Sequence, residues 1–224
     1  LTKNINMNIF WFRRDLRLDD NIGLFHALNS TEGVLPIFIF DEIILSELPK
    51  DDARVSFIHE KKKKIQLEMN KIGKSLAIFH GNPIEVFIKL ISENKISAVF
   101  TNHDYEPYAR KRDKEMNQIF VAKGISFLTS KDQVIFEKSE VVKDDGSPYV
   151  VYTPYSKKWK ENFKKIKLVH YPSEDKLDKI TKHSYPFLSL ADIGFKKSEI
   201  KVSPFDVSEN LIQNYEATRN FPAL

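Results

Sequence analysis

Charged side chains of both signs cluster at two points of the sequence, and each cluster directly follows a mainly apolar run. Residues 10–12 are followed at 13–21 by Arg-Arg-Asp-Leu-Arg-Leu-Asp-Asp-Asn. Residues 96–100 are followed at 101–107 by Thr-Asn-His-Asp-Tyr-Glu-Pro. Guanidinium groups bond carboxylates and phosphates through two parallel hydrogen bonds. Such residues can therefore build internal ion pairs or hold an anionic ligand.

The first cluster has two interpretations. In the structural one, Asp15 and Asp20 pair with neighbouring arginines and fix a turn between a strand and a helix, whose N-cap is Asp20 or Asn21. In the functional one, one of the arginines binds a phosphate or an anionic cofactor at the edge of a sheet. The residue types alone favour the structural interpretation.

The second cluster also has two interpretations. Asp104 and Glu106 lie between a predicted strand end and a helix that starts at Pro107. Their carboxylates can accept hydrogen bonds from N–H and hydroxyl groups of a bound heterocycle. They can equally serve only to cap the helix. Further along, Arg110 and Asp113 lie three apart on the surface of the predicted helix.

The composition excludes several kinds of chemistry. The 224 residues contain no cysteine, which excludes disulfides, thiolate metal ligands and a cysteine nucleophile. The six histidines lack metal-ligand spacing. No glycine-rich nucleotide loop and no hydrolase nucleophile elbow occurs. A net charge of +4 permits a polyanionic partner, but solvated lysine-rich helices are the favoured explanation.

The sequence predicts no contact with a membrane. No apolar run approaches the roughly 20 residues that span a bilayer. Residues 1–6 lack the apolar core of a signal peptide, so we expect a cytoplasmic protein. Met7 directly precedes the first predicted strand, and residues 1–6 are interpreted as a leader or remnant outside the domain.

Strand-like and helix-like segments alternate through the first ~130 residues, which is typical of βα units. Strands are predicted at 8–12, 34–40, 75–79, 96–100 and 125–128. Helices are predicted at 21–28, 52–74, from 82 onward and at 107–123, with Asn82 as an N-cap and Gly124 as a terminating glycine. These elements predict an α/β fold with a doubly wound, five-stranded parallel sheet of order 3-2-1-4-5. In such sheets ligands bind beyond the carboxyl ends of the strands, where both charged clusters lie.

Two predicted helices carry apolar stripes at helical spacing. In helix 52–74 the buried face is predicted to contain Ile58, Ile65, Met69 and Ile72, with lysines 61–64 in solvent. In the helix after Asn82 the predicted stripe consists of Ile84, Phe87, Ile88 and Ile91.

The alternation fades after residue ~130, and three regions are predicted. Residues 7–135 form the α/β domain, 136–170 close it, and 171–224 form a long connector that covers the domain surface. Within these regions we expect a β-like run at 149–152, a lysine-rich helix at 154–165 and a helix at 208–218. The apolar connector residues predicted to need cover are Phe187, Leu188, Leu190, Phe195, Phe205, Leu211 and Ile212.

Four segments, in the same order along the chain, resemble motifs of the DNA photolyase/cryptochrome family. Residues 11–21 are similar to W-F-R-x-D-L-R-L-x-D-N. Residues 102–113 are similar to N-x-x-x-E-P-x-x-x-x-R-D. Residues 149–159 are similar to Y-x-V-[YF]-[TG]-P-[FY]-x-x-x-W, and 220–224 resemble the end of R-x-F-P-A-x. The resemblance covers nearly all of this chain but only the first part of the family's proteins.

The resemblance implies an N-terminal antenna domain that binds a light-harvesting chromophore. The residues that match the family's chromophore site are Phe38, Arg54, Asp104 and Glu106. A flavin or deazaflavin chromophore is favoured over a folate, because Tyr108 and Ala109 replace the Asn-Glu pair of the folate-binding variant. A flat chromophore also requires an aromatic wall and a few convergent polar groups.

The resemblance further implies the function of the parent protein, a deoxyribodipyrimidine photo-lyase. In that family a reduced FAD in the C-terminal helical domain donates an electron to a pyrimidine dimer in UV-damaged DNA and splits it. That domain is absent here, so we expect this fragment to be catalytically silent, metal-free and monomeric. The alternatives are a cryptochrome-type photoreceptor domain and an unrelated doubly wound nucleotide-binding or flavin-binding module, which the lack of a glycine-rich loop disfavours.

Overall fold

A computed structural model describes residues 6–200 and 209–220 of the chain. The strands are β1 (Asn6–Phe12), β2 (Gly33–Asp41), β3 (Ala77–Gly81), β4 (Lys95–Asn102) and β5 (Ser126–Ser130). The α-helices are α1 (Ile22–Leu28), α2 (Glu42–Leu45), α3 (Ala53–Asn70), α4 (Pro83–Glu93), α5 (Pro107–Ala122), α6 (Tyr152–Phe163), α7 (Glu209–Gln213) and α8 (Tyr215–Thr218). Short 3₁₀ turns occur at Lys138–Glu140, Ser173–Lys179 and Ala191–Ile193.

The five strands form one parallel sheet of order β3-β2-β1-β4-β5, which confirms the predicted fold class and strand order. Strand β1 is central, with Ile9 opposite Leu35 of β2 and Val99 of β4. Both faces of such a sheet are covered, so its inner strands read as continuous apolar runs rather than alternating ones. This explains why the run at residues 9–12 is buried throughout.

Alternate side chains of β1 and β2 enter two separate cores, as the two-residue period of a strand requires. Phe10, Phe12, Phe38 and Phe40 belong to the core under α1 and α3. The intervening residues pack under α4 and α5, and they include Trp11, Ile37 and Ile39.

The predicted helix caps are confirmed. The side chain of Asn21 accepts a hydrogen bond from Leu24 N and begins α1. Asn82 accepts one from Ile84 N, with Pro83 at the first helical position of α4. Gly124, directly after the C-cap of α5, has the left-handed φ of +70° that favours glycine.

The buried face predicted for α3 is confirmed at Ile65 and Met69. The prediction is wrong for Ile72 and for Lys62. Helix α3 ends at Asn70, so Ile72 lies in the following turn and is 46% exposed. Lys62, predicted to face solvent, is completely buried. The physical reason is that it lies four residues after Ile58 and three before Ile65, on the face that packs against the sheet.

The stripe predicted for α4 contains one wrong residue. Ile88 is 54% exposed, whereas Leu90 is 1% exposed and packs beside Phe87. The buried face of α4 is centred on Phe87 and Leu90, three residues apart, which turns Ile88 towards solvent.

The region after β5 differs from the prediction in one element. Residues 149–151 form no strand, and Tyr152 is already the first residue of α6. The predicted lysine-rich helix is confirmed, two residues earlier at each end. It has no fully buried residue, and Trp159 holds it by packing against Phe136, with ring centroids 5.5 Å apart.

The predicted connector crosses the surface and adds to the core. Thr181 N donates to the Val34 carbonyl oxygen at 2.8 Å, and Ile180, Ile193 and Phe195 are buried in the core under α1 and α3. The connector residues Phe187, Leu188 and Leu190 pack partly buried against that core. Ile212 is 64% exposed, so its predicted cover is not seen.

The predicted helix at 208–218 consists of the two short helices α7 and α8. Residues 1–5, 201–208 and 221–224, together with the side chain of Leu211, lie outside the described residues. They include Phe205 and most of the segment 220–224. Within the described ranges, no helix has the length and apolar character needed to cross a membrane.

Candidate functional site

A cavity of about 470 Å³ opens at the carboxyl ends of β1 and β2. Its walls come from these two strands, from α2 and α3, from the loop after β4 and from α5. This volume lies within the range of about 300–1,000 Å³ that is usual for small-molecule sites. The position is the one that a doubly wound sheet predicts for a ligand.

The inner wall of the cavity is aromatic and aliphatic. Phe38 and Phe40 line it with their rings edge to face, 5.2 Å between centroids. Val55 and Ile58 of α3 and Leu48 of the preceding loop complete this wall. A flat ring system can therefore bury its faces here.

Three of the four predicted site residues line this one cavity, namely Phe38, Arg54 and Asp104. Glu106 does not line it, and its side chain is 59% exposed. Its carboxylate lies 3.5 Å from the guanidinium of Arg14. Arg14 does line the cavity, and its guanidinium lies 3.4 Å from the carboxylate of Asp104. Glu106 gives the helix no side-chain cap, so its capping role is wrong.

Arg54 is exposed and bound to its neighbour at the start of α3. Its guanidinium donates to both carboxylate oxygens of Asp52 at 2.7 and 3.0 Å, which lowers the pKa of Asp52 to about 2. Exposed ion pairs of this kind are weak. The Arg54 side chain can therefore turn to an anionic or carbonyl group of a ligand in the cavity.

The charged corner after β1 confirms Asn21 as the N-cap of α1 but not the predicted pairing of Asp15 with an arginine, while an arginine that binds an anionic ligand stays a prediction. Asp15 is 4% exposed and bonds no arginine side chain; it accepts from Arg13 N at 2.7 Å and from the amides of Asn21 and Asn102. Burial raises the pKa of Asp15 above its ordinary value, and these hydrogen bonds offset only part of that rise. Asn102 also accepts from Gly23 N at 2.9 Å, so it joins β4, α1 and the corner.

Gly23 is required by this network, and its replacement gives a testable prediction. A Cβ at Gly23 would lie 2.5 Å from Asn102 Oδ1 and 3.0 Å from the Phe10 ring. We expect Gly23→Ala to lower the free energy of unfolding by about 1–2 kcal/mol, because an overpacking cost of up to about 3 kcal/mol outweighs the roughly 1 kcal/mol that alanine gains in a helix. Urea unfolding measures this, and an unchanged midpoint would contradict it.

The arginines of the corner pair with residues far along the chain. Arg17 donates to both oxygens of Asp132, at 2.7 and 2.9 Å. Arg13 donates to Asp113 at 2.7 Å and lies over the Trp11 ring, 4.3 Å from its centroid. Arg13 also lines the cavity, and its Nε and Nη2 atoms contact no acceptor within the described residues.

Sequence reasoning missed Asp41, Tyr108 and Arg112 as site residues. Asp41 and Arg112 line the cavity, 3.5 Å apart, and both are largely buried. Tyr108 donates to Asp41 at 2.7 Å; burial and this bond raise the tyrosine's pKa. The available signal was the position of Asp41 at the carboxyl end of β2.

Lys62 lies directly on the aromatic wall. Its Nζ is 3.0 Å from the centroid of the Phe40 ring and 3.8 Å from that of Phe38. This buried amine has no hydrogen-bond partner within the described part of the chain. Burial lowers its pKa to about 5, so the amine is neutral at pH 7.

Comparison with known proteins gives matches that extend over most of this chain. The sequence profile of the DNA photolyase family matches residues 8–175. An uncharacterized 31.6 kDa protein in the atpI 5' region of Synechococcus sp. PCC 6716 is 30% identical over 96% of this chain and 80% of its own length. The deoxyribodipyrimidine photo-lyase of Synechococcus sp. PCC 6301 is 32% identical over 67% of this chain but only 31% of its own length. Cryptochrome-1 of Spalax judaei is less similar, at 21% identity.

Solved structures agree on the fold. The archaeal photolyase of Sulfolobus tokodaii, solved with two FAD molecules and described as implying a novel light-harvesting cofactor, superposes with a TM-score of 0.64 at 24% identity. The superposition covers 88% of this chain and 43% of the archaeal one. The five-stranded sheet is that of the N-terminal α/β domain of photolyases. On its sequence and its fold together, the chain belongs to the DNA photolyase family.

Proposed function

We propose that this domain binds a light-harvesting chromophore in the cavity at the carboxyl ends of β1 and β2. The observation that supports this most is the convergence of Phe38, Arg54 and Asp104, predicted from the sequence, on one cavity of about 470 Å³. When bound, such a chromophore supplies absorption of near-ultraviolet or blue light and passes on the excitation.

The residues fit a flat heterocycle with polar edges. Phe38 offers a ring face to stack on, and Asp104 offers a carboxylate to ring N–H or hydroxyl groups. The side chain of Asp104 is 10% exposed, so a hydrogen bond to it would be shielded from water. Arg54, and the N–H groups of Arg13 that have no acceptor among the described residues, are donors for ligand oxygens.

A flavin or deazaflavin suits the site better than a folate. The Asn-Glu pair of the folate-binding variant is replaced by Tyr108 and Ala109, and Tyr108 is already bonded to Asp41. The two FAD molecules of the archaeal relative support a flavin-type chromophore for the fold. Ala109 is buried and its side chain is a methyl group, so it offers no polar side-chain group to a ligand.

The parent activity that we propose is light-driven repair of pyrimidine dimers in UV-damaged DNA, in a monomeric, cytoplasmic photolyase. The chain spans 31% of the Synechococcus photolyase and 43% of the Sulfolobus chain. In this proposal residues 7–135 bind the chromophore, 136–170 close the domain, and 171–224 connect it to the FAD-binding domain that does the chemistry. The domain alone would harvest light without repairing DNA. A cryptochrome parent is the alternative, and its weaker similarity to this chain disfavours it.

Reconstitution with chromophores tests the proposed site through Arg54. We expect the purified chain to bind FMN or an 8-hydroxy-5-deazaflavin with saturable changes in absorption and fluorescence, and to bind a methenylfolate more weakly. Arg54→Ala is expected to weaken binding about tenfold, the usual effect of losing a hydrogen bond to a charged group. Equilibrium fluorescence titration measures both values.

The matched control is Arg110→Ala, because Arg110 is exposed on α5 and does not line the cavity. It should leave affinity unchanged. If the chain bound none of the three chromophores, or if Arg54→Ala bound like the wild type, the assignment of this cavity would be wrong.

A further inference from the structure

The Lys62 amine lies within the aromatic wall of the cavity. Lys62 is completely buried, and its Nζ contacts the ring faces of Phe38 and Phe40, both of which line the cavity. Val55 and Ile58, on the same face of α3 and up to two turns earlier, line the cavity as well. Lys62 itself does not line the cavity, but two of the rings that do are in contact with its amine.

No negative charge in the described part of the chain compensates an ammonium at this position. Lys62 forms no hydrogen bond or ion pair there, and on β2 its Nζ lies over the phenyl rings of Phe38 and Phe40. On α3 the neighbouring His59 and Lys63 carry no negative charge. The carboxylate of Glu60 is exposed and is paired with Lys197.

The described part of the connector adds no anion either. The connector meets this side of α3 with the Phe187 ring against His59 and with the Leu188 carbonyl, which lies 3.0 Å from His59 Nε2. Burial is the main reason that the pKa of His59 is lowered. Among the described residues, the space left for a negative charge that could stabilise protonated Lys62 is the cavity.

The cavity offers hydrogen-bond donors to an anionic ligand. Arg13, Arg14, Arg54 and Arg112 line it, and each lies beside a carboxylate that balances its charge, at Asp113, Asp104, Asp52 and Asp41 respectively. Two of the N–H donors of Arg13 lack an acceptor in the described structure. An anion close to the Phe38 wall would interact with Lys62 through a medium of low polarity, where Coulomb attraction is strong.

We propose that Lys62 takes up a proton when the cavity binds a chromophore whose ring is ionised, so that the site prefers ring anions to neutral rings of the same shape. The proton comes from solvent, the ligand ring keeps its charge, and no covalent bond changes. The phenyl rings help to hold the ammonium by cation–π attraction. This inference rests on the proposed function, because it concerns the same cavity.

Two ligands of similar shape and without phosphate test it: 8-hydroxy-5-deazariboflavin, which ionises at its ring hydroxyl, and riboflavin, which is neutral near pH 7. The proteins are the wild type, Lys62→Met and Lys61→Met, the last being an exposed lysine on the same helix. Dissociation constants come from fluorescence titration. Proton uptake comes from binding heats measured in two buffers that differ in ionisation enthalpy.

At pH 7 we expect the wild type and Lys61→Met to prefer the deazaflavin, and Lys62→Met to lose about tenfold of that preference, which requires the pKa of Lys62 to rise above 7 in the complex. Proton uptake should be larger in the wild type than in Lys62→Met. The ligand's own ionisation is common to all proteins and cancels in this comparison. A His59→Gln variant should retain the uptake.

The other outcomes distinguish a wrong role for Lys62 from a wrong chromophore site. If Lys62→Met kept both the preference and the proton uptake, or if His59→Gln abolished the uptake, the role of Lys62 would be wrong while the chromophore site would stand. If the wild type bound neither ligand, nor FMN, the proposed function and this inference would fall together. Near-UV circular dichroism of Lys62→Met establishes that it is folded.

Discussion

Lys62→Met is expected to stabilise the fold by about 3–5 kcal/mol at pH 7. The folded chain holds this lysine as a neutral amine with a pKa of about 5, whereas the unfolded chain holds it as an ammonium with a pKa of 10.5. Folding at pH 7 must therefore remove a proton from an amine whose ordinary pKa lies about three and a half units above that pH. The free-energy cost is about 1.4 kcal/mol per unit. Methionine has a similar length and carries no proton, so this cost disappears.

The sign of the pH dependence follows from the same two values. Between pH 5 and pH 10.5 the unfolded wild type binds one more proton than the folded one at Lys62, so its stability at this site rises with pH. The gain from Lys62→Met is therefore largest near pH 5 and shrinks towards pH 10. Urea unfolding at pH 6, 7.5 and 9 measures this trend.

The control for this prediction is Lys61→Met, which changes an exposed lysine next to it in the chain. Its effect should lie within about 0.5 kcal/mol at every pH. A destabilised Lys62→Met, or a gain that did not change with pH, would show that the amine is not buried as a neutral group.

Asp15→Ala is expected to destabilise the chain by about 3–5 kcal/mol. Its carboxylate accepts hydrogen bonds from Arg13 N and from the amides of Asn21 and Asn102. The substitution leaves Arg13 N and one N–H of Asn102 without an acceptor, whereas the Asn21 amide keeps the carbonyl oxygens of Asp15 and Arg17. Each buried donor left without an acceptor costs about 1–3 kcal/mol. Because Arg13 and Arg14 line the cavity, chromophore affinity should fall as well.

The control is Asp19→Ala, since Asp19 is an exposed carboxylate in the same corner. It should change the free energy of unfolding by no more than about 0.5 kcal/mol. Equal urea midpoints for Asp15→Ala and Asp19→Ala would contradict the account of the corner as a buried network.

The sheet could be predicted from the sequence because its signals are local and agree with one another. The buried runs at 8–12 and 34–40, the N-cap at Asn82 and the glycine at 124 each define one element boundary. The preference for right-handed crossovers then leaves few strand orders. The assignment of Phe38 and Asp104 to one site came from the resemblance to the photolyase family, and the topology agrees with it because it brings the strand ends together.

The partners of the arginines could not be predicted, because they are far apart in sequence. Arg13 and Asp113 are separated by 100 residues and Arg17 and Asp132 by 115. Sequence spacing favoured nearby aspartates such as Asp15, whose carboxylate instead bonds amides. A topology places strand ends near one another but does not select which charges pair.

Lys62 was missed although the sequence carried its signal. The 3.6-residue period placed it on the same face as Ile58 and Ile65, but the run of lysines at 61–64 is typical of a solvated surface. Lysine is rarely buried without a partner. Conflicts of this kind between period and polarity are expected at functional or strained positions.

The most direct test of the chromophore site is a crystal structure of the chain reconstituted with FMN or with an 8-hydroxy-5-deazaflavin. We expect density for a planar ring against Phe38, within hydrogen-bond distance of Asp104. The Arg54 side chain should be turned away from Asp52. A ring bound elsewhere on the chain, or a cavity without density in crystals of the loaded protein, would contradict it.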